Sequence, residues 1–91
     1  MTMPAVSPGQ HPRHYAPRAV AFRFEDGARL PQDAAVLSAS SDPADYARTF
    51  YARLRDLDAQ SPAAIYIEMP PDTPEWAAIR DRIIRATQPW Q

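Results

Sequence analysis

The stretch VLSASSDPADYARTFYARLRDLDAQSPAAIYIEMPP, residues 36–71, decides the fold, because in it two apolar runs bracket one helix. Ser41-Asp42-Pro43 opens that helix: the Asp42 carboxylate can accept the amide bonds left open by the first turn, and Pro43 at the first helical position has no amide to lose. From there to about Asp58, Tyr46, Phe50, Leu54 and Leu57 recur at helical spacing on one stripe, which Ala47 and Tyr51 widen. Arg48, Arg55 and Asp56 fall mainly outside it. Ser61-Pro62 breaks the pattern, and Ala64-Ile65-Tyr66-Ile67-Glu68-Met69 follows as a strand covered on both faces, ended by Pro70-Pro71. Before the helix, the run Ala34 to Ala39, centred on Val36 and Leu37, is short and strand-like. Strand, helix and strand in this order, within one sheet, almost always make a right-handed crossover between parallel strands.

Toward the N-terminus, Val20, Phe22 and Phe24 alternate with Ala19, Ala21 and Arg23, the period of a strand with one covered face, and Asp26-Gly27 supplies a turn after it. Toward the C-terminus, Thr73 as a cap and Pro74 at the first helical position start a second helix, with Glu75 near its positive end. Trp76, Ile79, Ile83 and Ala86 form its buried stripe. Arg80, Arg82 and Arg85 sit toward its negative end, with Asp81 and Arg85 as a surface pair. Trp90, beyond Pro89, has no helical register and is either loose or packed against a partner. Pro4, Pro8, Pro12 and Pro17, with Gly9, deny the first seventeen residues the donors that a helix or central strand needs. The expectation is an extended linker over residues 1–17, mobile in the isolated chain as far as about Ala16, and a small α/β domain over 18–91 with about three strands and two helices in two or three layers.

Ninety-one residues allow one domain, and 45% hydrophobic residues with a net charge of -1 describe a globular chain without the basic excess of a nucleic-acid platform. Every basic residue is Arg. The lack of Lys removes the usual Schiff-base nucleophile and P-loop phosphate ligand, and the lack of Cys removes disulfides and thiolate metal sites. Gly9 and Gly27 are the only glycines, too few for a dinucleotide fingerprint. Met1 to Gln10 has neither the positive charge nor the apolar run of a secretory signal, and no stretch is long enough to cross a bilayer, so the expected location is the cytoplasm.

His11 and His14 lie three apart, but a zinc site needs further ligands at fixed spacing, and solvated histidines are the default reading. Asp56 and Asp58 point to different sides of a helix and do not make an acid/base pair; solvation and capping account for them. Glu68 interrupts an apolar strand near its C-terminal end, where ligands of open α/β sheets bind, although an edge position or an Arg partner is the commoner cause. Tyr46, Phe50, Tyr51 and Trp76 at helical spacing read as core.

Three stretches carry a family resemblance. Ser7-Pro8-Gly9 followed by His14-Tyr15-Ala16-Pro17 is similar to the segment joining the two domains of the long form of threonylcarbamoyl-AMP synthase. Asp45-Tyr46-Ala47-Arg48 through Tyr51 to Asp58, and Ala77 to Arg82 through Arg85-Ala86, resemble that family's C-terminal domain. The resemblance implies a Rossmann-like accessory domain, tied by the linker to a separate catalytic domain that makes threonylcarbamoyl-AMP from threonine, bicarbonate and ATP for tRNA modification. It further implies that Ser7, Gly9, His14 and Tyr15 contact the active site of a partner, while this chain, without the catalytic domain, is no enzyme alone and has no catalytic residue; from its own residues no metal or cofactor is expected. ATP and threonine are met only through that partner. The family's domain usually has further helix and strand elements before the Asp45 helix, where this sequence has room only for a turn. Expected partners are a separate catalytic domain or a second copy, without membrane or direct nucleic-acid contact. A split gene, a remnant and a start assigned too late remain open, as does an independent α/β sensor of a nucleotide or amino acid.

Overall fold

Asp42 and Pro43 start a helix in the computed structural model, which describes residues 16–90. The Asp42 carboxylate accepts a bond from the Asp45 amide at 2.9 Å, and helix α1 runs over Pro43–Asp58. Tyr46, Phe50 and Leu54 are fully buried, with Tyr51 and Leu57 packed partly against the same core. Backbone geometry ends the helix: the Ser61 amide donates to the Asp58 carbonyl at 3.0 Å, and Ser61 takes a φ of 55°, the left-handed turn that glycine adopts more cheaply.

The strands are β1 (Val20–Phe24), β2 (Ala35–Leu37), β3 (Ala64–Glu68) and β4 (Gln88–Pro89), ordered β2-β3-β1-β4 with every neighbouring pair parallel. The unit β2-α1-β3 therefore joins adjacent parallel strands, as the sequence predicts. The fourth strand exceeds the expected three. Arg23 explains it: its guanidinium donates to the Thr87 carbonyl at 2.9 Å, the Thr87 hydroxyl at 3.2 Å and the Ile84 carbonyl at 3.4 Å. These bonds cap the end of α2 (Ala77–Ala86) and bring the next residues beside β1, where Gln88 and Pro89 lie opposite Phe22 and Arg23. Two residues, one of them proline, carry no readable periodicity, and proline is tolerated at a sheet edge.

Cross-strand partners share a face of a sheet, so the register places Ala21 with Ile65 and Leu37 with Ile67 on one side, and Val36, Tyr66 and Phe22 on the other. The first side shares one core with Tyr46, Phe50 and Leu54 of α1 and Ile79 and Ile83 of α2, so both helices cover it in a two-layer arrangement. On the helix-covered face, β1 thus carries the small Ala21, and Ala19 just before the strand packs against the same core, which leaves α2 room to approach. The larger Phe22 lies on the far face, and Val20 is 39% exposed. β3 is buried on both faces, as its continuous apolar run predicts: Ile65 and Ile67 toward the helices, Tyr66 away from them.

Cover on the far face comes from irregular chain. The connection from β1 to β2 runs along the sheet opposite to the α1 and α2 crossovers, so the right-handed rule assigns it to the other face. It is made of turns, one closed by the Ala28 amide on the Glu25 carbonyl at 3.1 Å around Gly27, whose φ is 88°. Trp90 completes the cover, contrary to the expectation of a loose or partner-bound side chain. Its ring centroid lies 5.0 Å from those of both Phe22 and Tyr66, and its indole N–H donates to the Arg29 carbonyl at 2.8 Å.

The second helix also starts differently from the expectation. Thr73 makes no side-chain cap; its carbonyl instead accepts from the Trp76 amide at 3.0 Å, forming a 3₁₀ turn over Pro74–Trp76 before α2 begins. Asp81 and Arg85 pair at 2.9 Å, as their spacing predicts. Among the described residues no helix is long and apolar enough to cross a membrane.

Candidate functional site

Asp58 holds the place where the chain enters the sheet. It ends α1, where the helix dipole disfavours a negative charge, yet it is only 4% exposed. Its two carboxylate oxygens accept the backbone amides of Arg18 and Ala19, each at 3.0 Å, so the residues leading into β1 are clamped to the end of the helix. This corrects the assignment of Asp58 to solvation or capping. A carboxylate in the last turn of a helix is the sequence signal that was present. The clamp borders a cleft of about 330 Å3 lined by Arg18, Ala19, Val20, Asp58, Ser61, Pro62 and Ala63. Ser7, Gly9, His14 and Tyr15, the residues that the resemblance assigns to partner contacts, and His11 lie outside the described residues; the clamp sits only three residues after Tyr15.

The opposite end of the sheet, at the C-terminal ends of the strands, is where an open parallel sheet receives ligands. Here the chain's own groups occupy it. The Met69 amide donates to the Phe24 carbonyl at 2.9 Å, closing the gap between β1 and β3. Arg80 is half-buried over this end: it donates to the Pro70 carbonyl and lies 3.8 Å from Glu25 and 3.6 Å from Asp72. Its role is therefore to tie the strand ends, not to complement the far end of α2. Glu68 is not at an edge, because β3 is an inner strand, and no arginine among the described residues pairs with it. Its carboxylate accepts the Ala39 amide at 2.7 Å, fixing the chain as it leaves β2. Among the described residues no three His, Cys, Asp or Glu side chains are grouped to hold a metal ion.

Tyr46 joins α1 to the same end of β3, its hydroxyl donating to the Glu68 carbonyl at 2.8 Å. Burial pushes this phenol above its ordinary range; the nearby Glu68 adds to the rise and Arg53 opposes it. A folded-state value above the unfolded one means that the contribution is complete below the unfolded tyrosine value of about 10 and declines as pH rises beyond it. Stability should therefore fall above about pH 10. Tyr46→Phe should flatten that alkaline limb while costing about 1 kcal/mol at neutral pH for the lost hydrogen bond. Urea unfolding followed across alkaline pH checks both parts, and an unchanged limb in Tyr46→Phe would assign the titration elsewhere.

The family described as threonylcarbamoyl-AMP synthase, C-terminal domain, matches the chain over residues 1–88. No curated protein and no solved structure matches it.

Proposed function

The chain belongs to the family of threonylcarbamoyl-AMP synthase C-terminal domains, and on that premise we propose that it is a non-catalytic accessory domain, serving a catalytic synthase domain on another chain in tRNA threonylcarbamoyladenosine modification. The observation that carries the reading is the family match itself, which spans nearly the whole chain and is to the C-terminal domain of such a synthase. Two features support it. A chain whose ten basic residues are all Arg has no lysine with which to hold triphosphate, and the C-terminal end of the sheet is filled by Met69, Arg80 and their partners. In this reading, residues 1–17 reach the partner's active site, with Ser7, Gly9, His14 and Tyr15 as the contacts. Asp58 sets where that segment departs from the domain.

The purified chain, given threonine, bicarbonate and ATP, should release no pyrophosphate. Added to a catalytic synthase domain that lacks its own C-terminal half, it should bind and change the rate of threonylcarbamoyl-AMP formation, and Tyr15→Ala should weaken that binding without altering the fold. Turnover by the chain alone, surviving removal of contaminating synthase, would overturn the accessory reading. Binding of ATP or threonine by the isolated chain, with no effect on the catalytic domain, would favour a sensor instead.

A further inference from the structure

We infer that the outer edge of β2 and the adjoining face of α1 form a self-complementary surface, through which two copies of this chain associate about a twofold axis. β2 ends the sheet, so one side of its backbone has no neighbouring strand among the described residues, and a free edge offers its N–H and C=O groups to another strand. Val36, at the centre of the strand, is 37% exposed on the face away from the helices. On the helix side the edge opens into a groove of about 200 Å3 lined by Val36, Leu37, Arg53, Asp56 and Leu57.

The charges in that groove select the occupant. Arg53 and Asp56 are three apart on α1, the spacing at which Arg48 and Asp45 pair on the same helix, yet no ion pair joins them. The Arg53 guanidinium instead lies over the Tyr46 ring, 5.9 Å from its centroid, and Asp56 is exposed. A twofold axis that pairs β2 with itself in antiparallel fashion, centred on Val36, brings the two α1 helices side by side and antiparallel. Two oppositely charged residues related by such an axis exchange partners: Arg53 of one copy faces Asp56 of the other, twice. Val36 meets its own copy on the opposite face, and two four-stranded sheets become one of eight. The cleft beside Asp58 is built on β1 and the end of α1, with β3 between β1 and the β2 edge, so the N-terminal segment stays available for the role proposed above.

Sedimentation equilibrium of the full chain from micromolar to near-millimolar concentration tests the contact. The chain should pass from monomer to dimer over that range. Arg53→Asp and Asp56→Arg should each weaken the dimer at least tenfold, about the effect of setting like charges against each other twice. The double reversal should restore it to within about threefold of the parent, which distinguishes a charge contact from misfolding. Val36→Asp should abolish it, with circular dichroism confirming that each variant folds. A chain monomeric throughout, or a double reversal as weak as either single change, would overturn the inference. An edge that stays empty in the isolated chain but takes up the catalytic domain in a Val36-dependent manner would also overturn it, giving the surface a different occupant while leaving the accessory function intact.

Discussion

Removal of Gln88 to Gln91 should destabilise the domain by about 3 kcal/mol, the low end of the loss for deleting a packed aromatic side chain because Trp90 is only half-buried. The truncation takes away the β4 pairing, the Trp90 amide bond to the Arg23 carbonyl at 2.9 Å and the indole that packs on Phe22 and Tyr66. Tyr66, 6% exposed in the intact chain, would then face water on a sheet side that no helix covers among the described residues. Domains of this size hold a total of roughly 5–15 kcal/mol, so the loss is a large fraction of the whole. Urea denaturation followed by circular dichroism measures it. Trp90→Ala alone should account for most of the effect, and a midpoint unchanged by the truncation would mean that the tail is an appendage.

Asp58→Ala should cost a similar amount, about 3 kcal/mol, because two charge-assisted bonds are lost and the amides of Arg18 and Ala19 keep no partner at a partly buried site. Asp58→Asn should fall between the parent and the alanine variant, since one amide oxygen can accept while its NH2 group faces a second donor. The effect should also be local. Amide exchange at Arg18 and Ala19 should accelerate in both variants before that of Ile65 to Ile67, whose strand has neighbours on either side. Exchange that accelerates uniformly would show that Asp58 supports the fold as a whole and does not specifically clamp the entry of the chain.

The two variants differ in how far the sequence foretold their residues. Trp90 stands beyond any periodic segment, and its place depends on Arg23, sixty-odd positions earlier, reaching the end of α2. No local pattern connects those residues. Asp58 is at the end of a helix that was readable in full, but its burial follows from where β1 begins relative to α1, a tertiary fact. Glu68 is similar: its interruption of the apolar run was plain, while its partner, the Ala39 amide, depends on β2 and β3 being neighbours. The residues that the family resemblance marks for partner contact, Ser7, Gly9, His14 and Tyr15, lie outside the described residues.

By itself the sequence determined the helix over Pro43–Asp58 with its cap, the buried stripes of both helices, the strands on either side of α1 and their parallel pairing, and the family. These are encoded locally: capping chemistry, a 3.6-residue period, a continuous apolar run, and motifs contiguous in the chain. Only the tertiary structure decided which face of β1 the helices cover, since alternation separates two faces without saying which one a helix needs to approach closely. It also decided the fourth strand, the seat of Trp90 and the burial of Asp58, because each depends on bonds between groups distant in sequence, whose energy exists only once the sheet has brought them together.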